Sequence, residues 1–275
     1  MSRTLPAVLV FAATDPTSGA GLQADVLSLA ALGCHPLGVV TAITVQDTVG
    51  VEDFMALDAL WVADQARAVL EDMPVAAFKL GMLGSVETVA MIAEVVSDYP
   101  DVPLVLDPVL ASGRGDELAS EEMIDILRDL ILPQTMLITP NSLEARRLAA
   151  AEDDLGELDL ATCADRLIDL GCEYALITGS HEQSSDVVNM LYGRRGPLQT
   201  LHWPRLAGSY HGSGCTLASA VAAHLALGLD IEAASEAGQR YTHATLRQAY
   251  RPGMGQSIPE RLYRLRTEAE HGEPT

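Results

Sequence analysis

Apolar residues recur along this chain in two rhythms. Short runs rich in Val, Ile, Leu and Ala, at 7–13, 37–43, 75–80, 104–106, 135–139 and 174–178, read as buried strands. Between them lie longer stretches whose apolar positions repeat every three or four residues. These predict helices over 22–32 (ending at Gly33), 58–72, 85–97, 121–131, 143–150 and 160–170, with Asp58 and Ser85 as N-caps. The rhythm then changes. Segments 186–192 and 198–203 flank Gly193–Arg194–Arg195–Gly196, a hairpin signal, and two Ala-rich helices follow over 215–227 and 231–246.

Strand–helix alternation predicts a parallel sheet covered by helices on both faces, with an antiparallel piece added late. No Pro/Gly/Ser-rich linker and no repeat interrupts it. The expectation is one domain over 1–268 and a frayed polar tail over 269–275. In such sheets ligands bind beyond the carboxyl ends of the strands, so the residues after each strand carry the functional information.

Composition sharpens the picture. Hydrophobic residues make up 48% of 275 residues and aromatics only 4%, so the core is built from Ala, Val, Leu and Ile. The net charge of -21 speaks against nucleic acid and anionic membranes as partners. It also repels nucleotide triphosphates, so an anionic substrate would need local positive potential. Cys34, Cys163, Cys172 and Cys215 form no CxxC pair, no apolar run spans a bilayer, and residues 1–9 read as a first strand without a cleavage signal. A reducing cytoplasm and free thiols are expected.

Several strand ends carry candidate chemistry. Asp15 to Gly21 is rich in small residues that let backbone approach a ligand, although an ordinary strand-to-helix turn looks similar. Gln46 offers a donor and an acceptor suited to an aminopyrimidine edge, or is a plain surface amide. Met82 can pack on a flat ring or sit in the core. Asp107 ends a buried strand, and Asn141 and Glu144 start a helix after the next one. Together they suit a hydrated magnesium ion, while Asn141 and Glu144 alone also match a capping box. Gly212–Ser213–Gly214–Cys215 opens a long helix with no charge in its first turns, a site for anions, and that position is expected to lower the Cys215 pKa. No GK[ST] occurs, so a P-loop is not expected.

Taken in order, these motifs resemble the hydroxymethylpyrimidine and phosphomethylpyrimidine kinases of the ribokinase-like superfamily. The matching residues are Asp15–Pro16 with Gly19–Ala20–Gly21, Gln23–Ala24–Asp25, Thr41–Ala42 with Gln46 and Thr48, Lys79 with Gly81–Met82–Leu83, Asp107–Pro108–Val109, Thr139–Pro140–Asn141 with Glu144, and Gly212 to Thr216. The resemblance implies a ribokinase-like three-layer αβα sandwich. It implies ATP as co-substrate, magnesium (Mg2+) and two successive phosphorylations of a small pyrimidine for thiamine biosynthesis, in a homodimer. By the same carry-over, Gln46, Asp25, Ala20, Gly21, Met82 and Val109 would bind the pyrimidine, and Asp107, Asn141 and Glu144 would organise the metal. Gly212, Ser213 and Gly214 would form the anion hole beside Cys215 as base, and Thr178, Gly179 and Arg114 would face the nucleotide.

Two departures stand out. The opening motif carries Ala13–Thr14–Asp15 and Ser18 where the family usually has Gly-Ser-Asp and a further Gly. After the late strand the family often has a lysine, where this chain has Thr178–Gly179–Ser180–His181. Arg114, in a glycine-flanked loop, is a candidate replacement cation or a solvated loop residue. Pyridoxal or pyridoxine kinase is the near alternative, and a non-catalytic pyrimidine-phosphate-binding module is the alternative of another class.

Overall fold

The computed structural model describes residues 5–111, 115, 118–151, 154 and 157–266. Its strands are β1 (Ala7–Thr14), β2 (His35–Gln46), β3 (Val51–Ala56), β4 (Val75–Leu80), β5 (Leu104–Leu106), β6 (Leu137–Ile138), β7 (Tyr174–Thr178), β8 (Asp186–Gly193) and β9 (Gly196–Pro204). They lie in one sheet in the order β3-β2-β1-β4-β5-β6-β7-β8-β9. Pairing is parallel from β2 through β7 and antiparallel at both edges, where β3 returns along β2 and β8 and β9 form the late hairpin. After β1 the chain builds outward to β2, then crosses back to lay β4 on the other side of β1. That reversal places a crevice at the carboxyl ends of β1 and β4.

The helices are α1 (Gly21–Ala31), α2 (Ala59–Asp72), α3 (Val86–Ser97), α4 (Glu121–Ile126), α5 (Ser142–Ala149), α6 (Leu160–Asp169), α7 (Ser213–Ala226) and α8 (Ile231–Arg247). Strand β1 shows why there are three layers. Its side chains alternate faces, and both faces are apolar. Ala7, Leu9 and Phe11 join a core with residues of α2 to α6, such as Val62, Ile92, Ile124, Leu148 and Leu167. Val8, Val10 and Ala12 join a second core with α1, α7 and α8, through Leu29, Val221, Ala222 and Ala234. The expected three-layer αβα sandwich is therefore present, and the caps Asp58 and Ser85 accept from the amides of Leu60 and Thr88. No helix among the described residues is long and apolar enough to cross a membrane.

The outcome differs from the sequence reading in three places. Strand β3 was not expected, because Glu52 and Asp53 break its apolar run; an edge strand needs no burial on both faces, so charge is tolerated there. The helix expected over 121–131 loosens into a π-helical turn at Leu127–Ile131 and a 3-10 turn at Leu132–Gln134. Pro133 explains this: it has no N–H to donate and its ring crowds the carbonyl four residues earlier. Strand β6 is two residues long rather than five.

Helix α7 is buried from Thr216 to Ala223, between the sheet and α8, and Ala and Ser predominate along this stretch. A Cβ on Gly238 of α8 would lie 2.6 Å from Val221 Cγ2 and 3.0 Å from its backbone nitrogen. Gly238→Val should therefore overpack this contact and cost about 1–3 kcal/mol. Calorimetry should show a melting temperature several degrees lower, whereas an unchanged value would mean that the two helices separate freely.

Candidate active site

The turn after β1 is organised by one carboxylate. Asp15 is fully buried and accepts from Thr17 N (2.8 Å), Thr17 Oγ1 (2.9 Å) and Ala20 N (2.7 Å), while its own amide donates to Gln23 Oε1 (2.8 Å). His211 Nε2 lies 2.8 Å from Asp15 Oδ2, tying this turn to the residues just before α7. Burial raises the Asp15 pKa, but the hydrogen bonds from His211, Ala20 and Thr17 outweigh it, and the carboxyl is held below its ordinary value. Ser18, one of the departures from the family pattern, adopts φ 60, a region glycine occupies more readily.

Helix α7 begins as its glycines suggest. Gly212 is its N-cap at φ 81, with no side chain capping the first turn. The approach to the β1 turn is so close that a Cβ on Gly212 would lie 1.9 Å from the carbonyl oxygen of Gly19. Only glycine satisfies both the dihedral and the space. The first-turn amides and the positive helix end are thus left for an anion. Gly214 is exposed, and a Cβ there would be 3.6 Å from Asp107 Oδ1, so the helix start and the end of β5 share one corner.

Beneath that corner lies a buried charge cluster. Lys79, fully buried, places Nζ 2.9 Å from Asp25 Oδ2 and 3.9 Å from Asp107 Oδ2. Ser219 of α7 donates to Asp25 Oδ1 at 2.7 Å. Asp25 therefore does not face a substrate, as the resemblance implied; it is fully buried and both its oxygens are engaged. Asp107 has one buried oxygen, Oδ2, without a hydrogen-bond partner. Its carboxyl is raised above the ordinary value by burial, with Lys79 opposing and Asp25 adding to the rise.

Cys215 also departs from expectation. Its position at a helix start favours a thiolate, yet burial pushes the thiol up to about 12; Asp107 adds to the rise while Lys79 opposes it. Desolvation among carboxylates outweighs the helix end, and the resting group is a thiol. The amide of Gly21 interacts with the Cys215 sulfur, which brings the β1 turn and α7 together at this atom.

Asn141 and Glu144 form the capping box. Asn141 Oδ1 accepts from the amides of Leu143 (2.9 Å) and Glu144 (3.0 Å), and Glu144 Oε2 accepts from Asn141 N (3.0 Å). The capping role does not remove Glu144 from the corner: its carboxyl is pushed up to about 8 by burial and then by the Asp107 charge. Among the described residues no group of three or more His, Cys, Asp and Glu is arranged to hold a metal ion.

The other expected residues fall around this centre. Met82 and Val109 line one depression together with Gly81, Leu83, Pro108 and Met123. Gln46 is not in that wall; it lies at the end of β2, where its amide donates to Thr44 Oγ1 (2.8 Å), which donates to Thr14 O (2.7 Å). Ala20 is the N-cap of α1, and its amide belongs to Asp15. Thr178 bridges to Asn141, and Gly179 packs against β8 while donating to Asn189 Oδ1 (3.2 Å). The loop after Gly179 is held by Arg205, which donates to the carbonyls of Ser180, Glu182 and Ser184. Arg114 lies outside the described residues. The sequence reading did not single out the internal pairing of Lys79, and nothing local in the sequence signals it.

Comparison with known proteins follows the same lines. The family profile described as phosphomethylpyrimidine kinase matches residues 15–259. The hydroxymethylpyrimidine/phosphomethylpyrimidine kinase of Mycobacterium tuberculosis is 40% identical over 95% of this chain and 96% of its own. The crystal structure of phosphomethylpyrimidine kinase from Clostridium difficile superposes with a TM-score of 0.74 at 31% identity, covering 87% of this chain and 98% of that one. Pyridoxal kinase from Staphylococcus aureus, in complex with AMP-PCP and pyridoxal, gives a TM-score of 0.84 at 25% identity, with 94% of each chain covered.

Proposed function

The chain belongs to the phosphomethylpyrimidine kinase family, and from that premise we propose that it moves the terminal phosphoryl group of ATP first onto the hydroxymethyl arm of an aminopyrimidine and then onto the resulting monophosphate, serving thiamine biosynthesis. The carrying observation is the uncapped start of α7, set against Asp107 and Cys215 at the sheet's switch point. Phosphoryl transfer passes through a loose transition state, so the protein's work is positioning and charge stabilisation. The amides of Ser213, Gly214 and Cys215 supply donors where negative charge gathers. Gln46 orients the ring, with Met82 and Val109 packing near it, and Thr178 and Gly179 border the nucleotide. The higher identity to the pyrimidine kinases favours this over pyridoxal kinase.

Magnesium fits the corner by the chemistry of its donors. The partnerless buried oxygen of Asp107 and the raised carboxyl of Glu144 are both relieved by a cation. A hydrated ion accepts so few protein ligands, and Asp107 and Glu144, with Asn141 beside them, would hold it. When bound, it would neutralise charge on the transferring phosphates. We also place the protein in a reducing cytoplasm as a homodimer; the exposed Ile43, Val45 and Met55 of the β2–β3 edge support self-association.

The test is mass analysis of products from ATP, magnesium and hydroxymethylpyrimidine: one added phosphoryl group, then two. An unreacted pyrimidine, or faster turnover of pyridoxal, would remove the reading. Cys215 gives a finer check. A substrate hydroxyl needs a proton acceptor, but a phosphate monoester is already ionised near neutrality. Because burial pushes the thiol well above its ordinary range, kcat/KM of the first step should keep rising through pH 9, and Cys215→Ala should flatten that rise. The same variant should slow the first step by about 100-fold and the second far less. Equal losses in both steps would assign the sulfur to shape and anion binding instead.

A further inference from the structure

Behind the first turn of α7 sits a cation that the reading above does not use. Arg261 is only 3% exposed and lies just past residue 259, where the family profile ends. Its guanidinium binds oxygens of two turns at once. On one side Nη1 donates to Ser18 O (3.2 Å) and Nη2 to Gly19 O; on the other Nη2 donates to Gly212 O (3.3 Å). Nε donates to Thr216 Oγ1 (3.0 Å), which itself donates to Gly212 O (2.7 Å). Among the described residues no carboxylate forms a salt bridge with Arg261.

Two features set this apart from an ordinary staple. First, a buried guanidinium that no carboxylate contacts directly, with Asp25 acting on it only through space, is a costly way to join two loops, since a neutral amide can bridge carbonyls with no charge to desolvate. Second, Arg261 grips the two turns with unusual backbone: Ser18 at φ 60 and Gly212 at φ 81. Such conformations persist where surrounding contacts over-determine them, commonly at functional sites. By drawing the carbonyls of Ser18, Gly19 and Gly212 toward itself, the guanidinium fixes where their negative ends point. In a chain of net charge -21 it also supplies local positive charge behind the helix start.

We propose that Arg261 is a positioning residue for phosphoryl transfer. Its planar fork sets the spacing between the β1 turn on the substrate side and the Gly212 turn that aims the α7 amides, and its charge, which no carboxylate among the described residues contacts directly, reinforces their potential. This assignment rests on the reading of the α7 start as the phosphoryl cradle. Lysine keeps the charge and loses the fork; glutamine loses the charge and keeps part of the hydrogen bonding.

The experiment measures kcat, both KM values and melting temperature for full-length wild type, Arg261→Lys, Arg261→Gln and Arg261→Ala with hydroxymethylpyrimidine and ATP. Expected is a kcat about 10-fold lower for Arg261→Lys and roughly 100-fold lower for Arg261→Gln, with the KM for pyrimidine within about 3-fold. Millimolar guanidinium should restore part of the kcat of Arg261→Ala at an unchanged melting temperature, which a purely structural role would not allow. Wild-type kcat in Arg261→Lys and Arg261→Gln, or losses that track only the folded fraction with no rescue, would overturn the assignment. A wild type inactive on the pyrimidine would instead sink the underlying reading of the site.

Discussion

Lys79→Met is expected to remove about 3–5 kcal/mol of stability, because it deletes the cation from a buried pair and leaves its partner carboxylate behind. The side chain is fully buried, Asp25 Oδ2 is 2.9 Å from Nζ, and Asp107 is next in line at 3.9 Å. Ser219 satisfies the other oxygen of Asp25 but cannot neutralise it. The pH dependence has a definite sign. Burial alone would lower the Lys79 pKa, but Asp25, Cys215 and Asp107 together raise it above its ordinary value. A raised lysine contributes stability that is fully present below its unfolded pKa, near 10.4, and is lost as pH rises through the folded value. The deficit of Lys79→Met should therefore be flat from about pH 6 to 9 and narrow in strong alkali. It should narrow again in acid, where the stranded carboxylates take up protons. Urea unfolding at pH 5, 7 and 9 checks the flat stretch and its acid edge, and a loss under about 1 kcal/mol at pH 7 would show that Lys79 carries no structural charge.

How much of this was legible in the sequence follows from how far each cause reaches along the chain. The strands β1 and β4 and the helices α1, α3 and α8 announce themselves because period and capping are local signals. Ser85 needs only Thr88, three residues on, to act as a cap. Strand β3 stayed hidden because the acidic Glu52 and Asp53 are compatible with an edge, and the edge itself is a fact of topology. The family motifs placed Asp107, Gly212 and Cys215 correctly at strand and helix ends. The sign of the Cys215 shift was not legible. The helix start is written in two glycines, but the desolvation that outweighs it comes from packing, with Asp107 adding to it from β5. The pairs Lys79–Asp25 and Arg261–Ser18 span 54 and 243 residues, so only the folded chain reveals them.

Gly212→Ala should lower kcat by about 100-fold or more while leaving most of the protein folded. Two penalties coincide at this position. At φ 81 an alanine is strained by roughly 1–2 kcal/mol, and its Cβ would lie 1.9 Å from Gly19 O, a backbone atom that cannot rotate aside. Either the β1 turn or the first turn of α7 must move. Those are the two pieces whose spacing aligns Gly21 with Cys215 and aims the free amides. Gly228 separates the two penalties. It has φ 89 at the far end of α7, and nothing lies within 4 Å of the Cβ it would gain. Gly228→Ala should therefore lose melting temperature through strain alone and retain wild-type kcat. If Gly212→Ala and Gly228→Ala lose the same stability and both keep kcat within about 3-fold, the helix start is not where the phosphoryl group is held. A kcat loss per folded molecule in Gly212→Ala that Gly228→Ala does not share ties catalysis to the placement of the α7 amides.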